Sequence, residues 1–143
     1  MSPLDKIYVI NLKKRKSKKD RISKLLLEEG LGIPVEITEA FDFGSLDLNL
    51  LSHWLKDQDC RIYPNWKTTE PKMFEGFNFI SWDNREIKNA EIGCSLSHMA
   101  IWKRIAAKQE TALILEDDAF WHKGKLKKFL TESLPKCPDT DIL

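Results

Sequence analysis

The triplet Glu116-Asp117-Asp118 follows directly on the apolar run Ala112-Leu113-Ile114-Leu115, and the chain turns apolar again at Ala119-Phe120. Three adjacent carboxylates repel one another, so the arrangement needs a compensating cation or a basic partner. Carboxylate oxygens are hard ligands. They suit Mg²⁺ or Mn²⁺ held through one or two protein oxygens together with the phosphates of a substrate. A diphosphate and an acidic cluster repel until a metal ion bridges them. The structural alternative is a solvated acidic turn capping the next helix, since acidic residues favour turns and helix starts.

Two further stretches carry reactive side chains. His98 falls midway across the apolar face of a helix read over 91–108, with Glu91, Ser95 and Trp102 angularly near it. Most buried polar groups are simply hydrogen-bonded, so this histidine first reads as a satisfied core residue. Cys94, on the same face, reads as a small buried hydrophobe. A basic run occupies 13–19, and charge runs of this kind read first as solvated faces.

The elements that must position these groups are legible from periodicity. Ile7-Tyr8-Val9-Ile10 reads as a central strand. A helix is predicted over 18–29, with Ile22, Leu25, Leu26 and Glu29 on the 3.6 period and Gly30 and Gly32 as stop signals. A second strand is predicted over 34–38, closing at Ala40-Phe41-Asp42. This strand-helix-strand unit implies a parallel sheet. Residues 43–88 show no clean period beyond a short helix at 47–56. A long loop of that kind is usually functional, and its Trp54, Trp66 and Trp82 suit either a binding surface or a satellite core. The helix over 91–108 has Cys94, His98, Met99, Ile101, Trp102, Ile105 and Ala106 on one face. A strand over 111–115 and a helix over 123–134 follow, the latter broken by Pro135 and Pro138. Asp141-Ile142-Leu143 looks like the start of another strand. The pattern is α/β, a mostly parallel sheet flanked by helices in one domain over 1–143. In such sheets ligands bind beyond the carboxyl ends of strands, which is where the acidic triplet falls.

Composition narrows the classes. The chain has 143 residues, enough for one domain with a core, and 23 basic against 22 acidic residues give a formal charge of +1. That balance argues against nucleic-acid binding through bulk charge. Cys60, Cys94 and Cys137 are odd in number and widely spaced, which disfavours a zinc site or a disulfide framework and makes a reducing cytoplasm the default expectation. No apolar run of about 18 residues exists, so no transmembrane segment is expected and any membrane contact would be peripheral. Receiver domains also carry acids after an apolar strand. There the acidic strand opens the domain, whereas here it comes near the end.

Taken in order, YVINLKKRKSKKDRI, EAFDFG, AEIGCSLSHMAIWKRI and ALILEDDAF resemble glycosyltransferase family 25, which includes bacterial lipooligosaccharide galactosyltransferases and collagen galactosyltransferases. The most specific part is Gly93-Cys94-x-x-Ser97-His98-x-x-x-Trp102 followed at short distance by the acidic triplet. The resemblance implies a GT-A-like, Rossmann-like fold and transfer of a hexose, often galactose, from a UDP-sugar donor to a glycan or hydroxyl acceptor. It implies Mn²⁺ or Mg²⁺ as cofactor, with Glu116-Asp117-Asp118 in the place of a DxD-like motif. Asp118 would contact the metal directly, with Glu116 a second ligand that also faces the ribose, and Asp117 beside them on the nucleotide sugar. Asn11 and Arg15 match the segment after the first strand that lines a uridine or phosphate pocket. Lys18 and Arg21 continue it at three-residue intervals along one helical stripe. Ala40 and Asp42 match a turn that meets the nucleoside, although Phe43 stands where the family has glycine. Ser97 and His98 would belong to the donor site.

The resemblance also implies an acceptor half and, for an inverting transfer, a general base, both expected beyond Leu143. No catalytic base is therefore assigned. A sheet left unfinished at Leu143 would present an unpaired edge, through which two copies could pair as a homodimer. A truncated nucleotide-sugar-binding module without transfer activity is the alternative function.

Overall fold

The computed structural model describes residues 4–42 and 89–137. The readings for 43–88, with the helix at 47–56 and its three tryptophans, and for the strand at 141–143 lie outside the described residues. The chain divides into two compact units, one formed by Met1–Ala40 with Ser97–Leu143 and the other by Phe41–Leu96.

The first unit is built on strand β1, Lys6–Asn11. Its β-branched and aromatic residues suit a strand covered on both faces, and Ile7, Tyr8 and Val9 are fully buried. Helix α1, Lys16–Glu29, follows, then strand β2, Val35–Glu39. Gly30 ends α1 in the left-handed conformation at φ 58°, its N–H bonded to the Leu27 carbonyl; glycine adopts that conformation without a Cβ clash. Helix α2 spans Asn89–Lys108, and its residues from Ser97 onward belong to this unit. Strand β3, Ala112–Glu116, completes the described sheet.

The strand order is β2-β1-β3 and both pairings are parallel. Asn11 of β1 lies opposite Glu39 of β2, and Ile10 lies opposite Glu116 of β3. The carboxyl ends of all three strands therefore finish at one edge. Alternation along β1 separates two cores. Ile7 and Val9 pack with Ile22 and Leu26 of α1. Tyr8 and Ile10 pack with Ile101 of α2, joined by Ile105 and Ile114. Each fully buried aliphatic side chain contributes about 1.5–3 kcal/mol. One helix on each face of a parallel sheet is the α/β arrangement that the periodicity predicts, and it agrees with the Rossmann-like fold that the resemblance implies.

Helix α2 ends by chemistry that its sequence hides. Gln109 takes the left-handed conformation at φ 54°. Its N–H bonds to the Ala106 carbonyl and that of Glu110 to the Ile105 carbonyl, the two bonds of a Schellman closure. The helix predicted over 123–134 is a finding of a different kind. Only Lys125–Lys128 (α3) is α-helical, followed by a π-helical turn, Phe129–Ser133, and a 3₁₀ turn, Leu134–Lys136. The Thr131 hydroxyl donates to the carbonyls of Lys127 and Lys128 and so competes with the backbone ladder. Pro135 supplies no N–H to regularise the end.

Of the second unit, Phe41, Asp42 and the opening turns of α2 are described. Cys94 corrects an expectation: it is exposed rather than buried. Cys94 falls in the second unit, ahead of the α2 turn that packs on the sheet at Ile101, so sharing the helical face of Ile101 does not bury it; Trp102, farther round the helix, is half exposed.

Candidate functional site at the carboxyl edge of the sheet

The order β2-β1-β3 reverses direction between β1 and β3, the switch point where open α/β sheets form a crevice. The acidic triplet stands there. Glu116 closes β3, and the chain turns at once, with the Ala119 N–H bonded to the Glu116 carbonyl at 3.0 Å. Asp117 and Asp118 are the central residues of that turn.

The three carboxylates part company. Asp117 is buried, with 5 % of its surface exposed, and one of its oxygens accepts a hydrogen bond from Asn11 Nδ2 at 2.9 Å. Its other oxygen faces Arg15 Nη1 at 3.6 Å and Lys18 Nζ at 3.7 Å. Asn11, itself buried, also donates to the Arg15 carbonyl. The middle acid is thus neutralised by β1 and α1. Glu116 lies on the other side, half exposed, with Oε1 at 3.2 Å from His98 Nε2. His98 packs its ring at 5.9 Å from Trp102. Asp118 is exposed. The turn therefore presents two carboxylates outward and withdraws the third. Carboxylate oxygens of this kind suit a hard divalent cation, and of the two Glu116 has the His98 imidazole beside it.

Helix α1 holds this turn and the segment behind it. Arg21 Nη2 donates to the carbonyls of Asp117, at 2.7 Å, and Ala119, at 3.0 Å. Arg15, Lys18 and Arg21, the predicted basic stripe, all converge on residue 117. At the other end of α1, Glu29 is buried and accepts from Trp121 Nε1 and from the backbone N–H groups of Gly124 and Lys127. It thereby caps the start of α3. Sequence reasoning gave Glu29 no role, although a carboxylate one turn beyond Leu26 on an apolar stripe is the signal that finds it.

The remaining predicted residues are placed as follows. Ala40 donates its N–H to the Asn11 carbonyl at 2.9 Å and packs against the Tyr8 cluster. Ser97 is buried on α2. Asp42 falls in the second unit.

A polar cluster that the sequence reading missed lies on the α2 face of the sheet, toward the amino end of β1. Glu36 accepts from Lys6 Nζ at 2.6 Å and from Arg104. The Tyr8 hydroxyl donates to Glu110 at 2.7 Å, and Lys6 and Arg104 lie over the Tyr8 ring. The hydrogen bond from Lys6, then that from Arg104, holds the Glu36 carboxyl below its usual range. The hydrogen bond to Glu110, together with burial, pushes the Tyr8 phenol up. The cluster ties α2, which carries His98, to β1 and β2.

Comparison with known proteins adds a lineage to this geometry. Procollagen galactosyltransferase 2 of Mus musculus is 34% identical over 125 residues, 86% of this chain and 17% of that protein. The procollagen lysyl hydroxylase and glycosyltransferase of Acanthamoeba polyphaga mimivirus is 28% identical over 98% of this chain and 15% of its own length. A rat protein described as probable inactive glycosyltransferase 25 family member 3 is 27% identical over 97% of this chain and 22% of its own length. The chain thus spans less than a quarter of these curated relatives. No solved structure matches it. The profile of glycosyltransferase family 25 (LPS biosynthesis protein) matches residues 4–143, so both the β1–α1 clamp and the acidic turn lie within the matched span, and the chain belongs to that family.

Proposed function

We propose that this chain forms the donor-binding part of a metal-assisted hexosyltransferase that takes a UDP-sugar, with galactose as the hexose, and serves a glycan or hydroxyl acceptor such as that of a lipooligosaccharide. The single observation that carries the proposal is the division of labour in the acidic turn. Asp117 is withdrawn and neutralised, while Glu116 and Asp118 face outward at the switch-point edge. A solvated helix cap would not need its middle acid buried against Asn11.

Glu116 and Asp118 would hold Mn²⁺ or Mg²⁺. When bound, the ion supplies Lewis acidity and neutralises the diphosphate as UDP leaves. His98 orients Glu116 through the 3.2 Å contact and limits its rotamers. Asp117 and Asn11 fix the turn that carries both outward acids. Family membership supports the transferase class, and the name of the mouse relative supports galactose. The name of the rat relative favours a second reading, a module that binds the nucleotide sugar without transferring it.

Thermal unfolding with UDP and Mn²⁺ together tests the binding. Ligand that binds only the folded state at 100 times its Kd stabilises by about 2.7 kcal/mol. Asp118→Ala should remove that shift, and no shift in the parent chain with either Mn²⁺ or Mg²⁺ overturns the proposal. Release of UDP in the presence of an acceptor separates the transferase from the binding module.

A further inference from the structure

Residues 117–124 leave regular structure, so their backbone polar groups need partners from elsewhere. Helix α1 provides them with opposite chemistries at its two ends. Glu29 accepts from the N–H groups of Gly124 and Lys127, and Arg21 donates to the carbonyls of Asp117 and Ala119. These two carbonyls bracket Asp118. A single nitrogen, Arg21 Nη2, makes both bonds, so the guanidinium grips the peptide backbone of the turn and not its side chains.

We infer that Arg21 is a positioning residue for the outward carboxylates: by holding the backbone on both sides of Asp118 it sets where that side chain stands relative to Glu116. The inference rests on the reading that this pair holds a divalent cation. Arg21 differs in kind from Arg15 and Lys18. They face the Asp117 carboxylate at 3.6 and 3.7 Å and act as charges, whereas Arg21 makes hydrogen bonds at 2.7 and 3.0 Å to neutral carbonyls and acts as a template. Charge and template predict effects of opposite sign. Removing a positive charge beside a cation site raises cation affinity. Releasing the turn lowers it, because partners behind a metal ligand govern affinity by about 10–100-fold.

The test is titration of the full chain with Mn²⁺ alone, followed by the loss of the free-ion electron paramagnetic resonance signal. Arg21→Gln is expected to weaken Mn²⁺ binding about tenfold or more. Arg21→Lys, which keeps the charge and one donor nitrogen on a shorter reach, should recover part of the loss. Arg15→Gln, the matched charge deletion, should bind Mn²⁺ at least as tightly as the parent. Circular dichroism at the titration temperature establishes that each variant is folded. If Arg21→Gln does not fold, Arg21→Met, which keeps an apolar stem and removes both donors, carries the test, and parental or tighter affinity in it overturns the inference. Parental or tighter affinity in folded Arg21→Gln overturns it likewise and leaves the donor-site reading standing. A parent chain that binds no Mn²⁺ overturns the donor-site reading, and the inference falls with it.

Discussion

Asn11 and Asp117, 106 residues apart in sequence, share a buried hydrogen bond of 2.9 Å that joins the carboxyl ends of two neighbouring parallel strands. The bond fixes which of three adjacent acids turns inward. Asp117→Ala should cost about 1–3 kcal/mol, since it leaves one of the two Asn11 amide protons without its acceptor while the other keeps the Arg15 carbonyl. Asp117→Asn keeps an acceptor for that amide and loses only attraction to the exposed Arg15 and half-buried Lys18, worth about 1 kcal/mol. Urea unfolding of both variants checks the order. Equal losses would mean that the charge, and not the hydrogen bond, holds the turn.

The outward acids should behave in the opposite way. Asp118→Ala touches an exposed side chain and should change the stability of the unliganded protein by less than about 0.5 kcal/mol. It should nevertheless abolish stabilisation by Mn²⁺ with UDP. Asp117→Asn should keep most of that stabilisation despite its lower baseline. Thermal unfolding of the two variants with and without ligand gives the comparison. A ligand response lost equally in both would assign the metal to the whole triplet.

Much of this arrangement is legible in the sequence, and the reasons for the remainder are physical. The β1 strand, both long helices and the position of the acidic triplet follow from apolar periodicity, because burial on a sheet or helix face imposes that period. The stripe of Arg15, Lys18 and Arg21 is also visible in the spacing, but its target is not. Spacing places side chains on a helix face and says nothing of what lies opposite, so the contacts of the stripe with the Asp117 carboxylate and carbonyl are seen only in the fold. The partners of Glu29, and the cluster of Lys6, Glu36, Arg104 and Glu110, are invisible for the same reason. The paired groups lie about 30 to about 100 residues apart, brought together only by the sheet.

Gln109 shows how a local rule can be broken by a tertiary need. Its left-handed backbone swings Glu110 toward the Tyr8 hydroxyl. A non-glycine residue in that conformation costs about 1 kcal/mol. Gln109→Gly should therefore raise stability by about 0.5–1 kcal/mol, net of the entropy that glycine adds to the unfolded chain. Guanidinium unfolding measures it. A loss of stability would show that the Gln109 side chain, and not its backbone, matters at the helix end.

Glu36 gives the protein an acid-sensitive component of stability. Its folded pKa is depressed, first by the hydrogen bond from Lys6 and then by that from Arg104. A carboxyl depressed on folding releases its proton more readily in the native state, so the unfolded chain binds more protons between the two values. Its contribution is therefore complete above the unfolded pKa of about 4.3 and is lost as pH falls through the lower, folded one. Tyr8 works in the other direction: its raised pKa gives a contribution present below the ordinary phenol range and lost as pH rises through the folded value. Glu36→Gln removes the acid component alone. The stability difference between the parent chain and Glu36→Gln, from urea unfolding at steps between pH 6 and pH 3, should be positive at pH 6 and shrink toward zero at the acid end. A difference that stays constant across that range would mean that Lys6 and Arg104 hold Glu36 by packing and not by its charge.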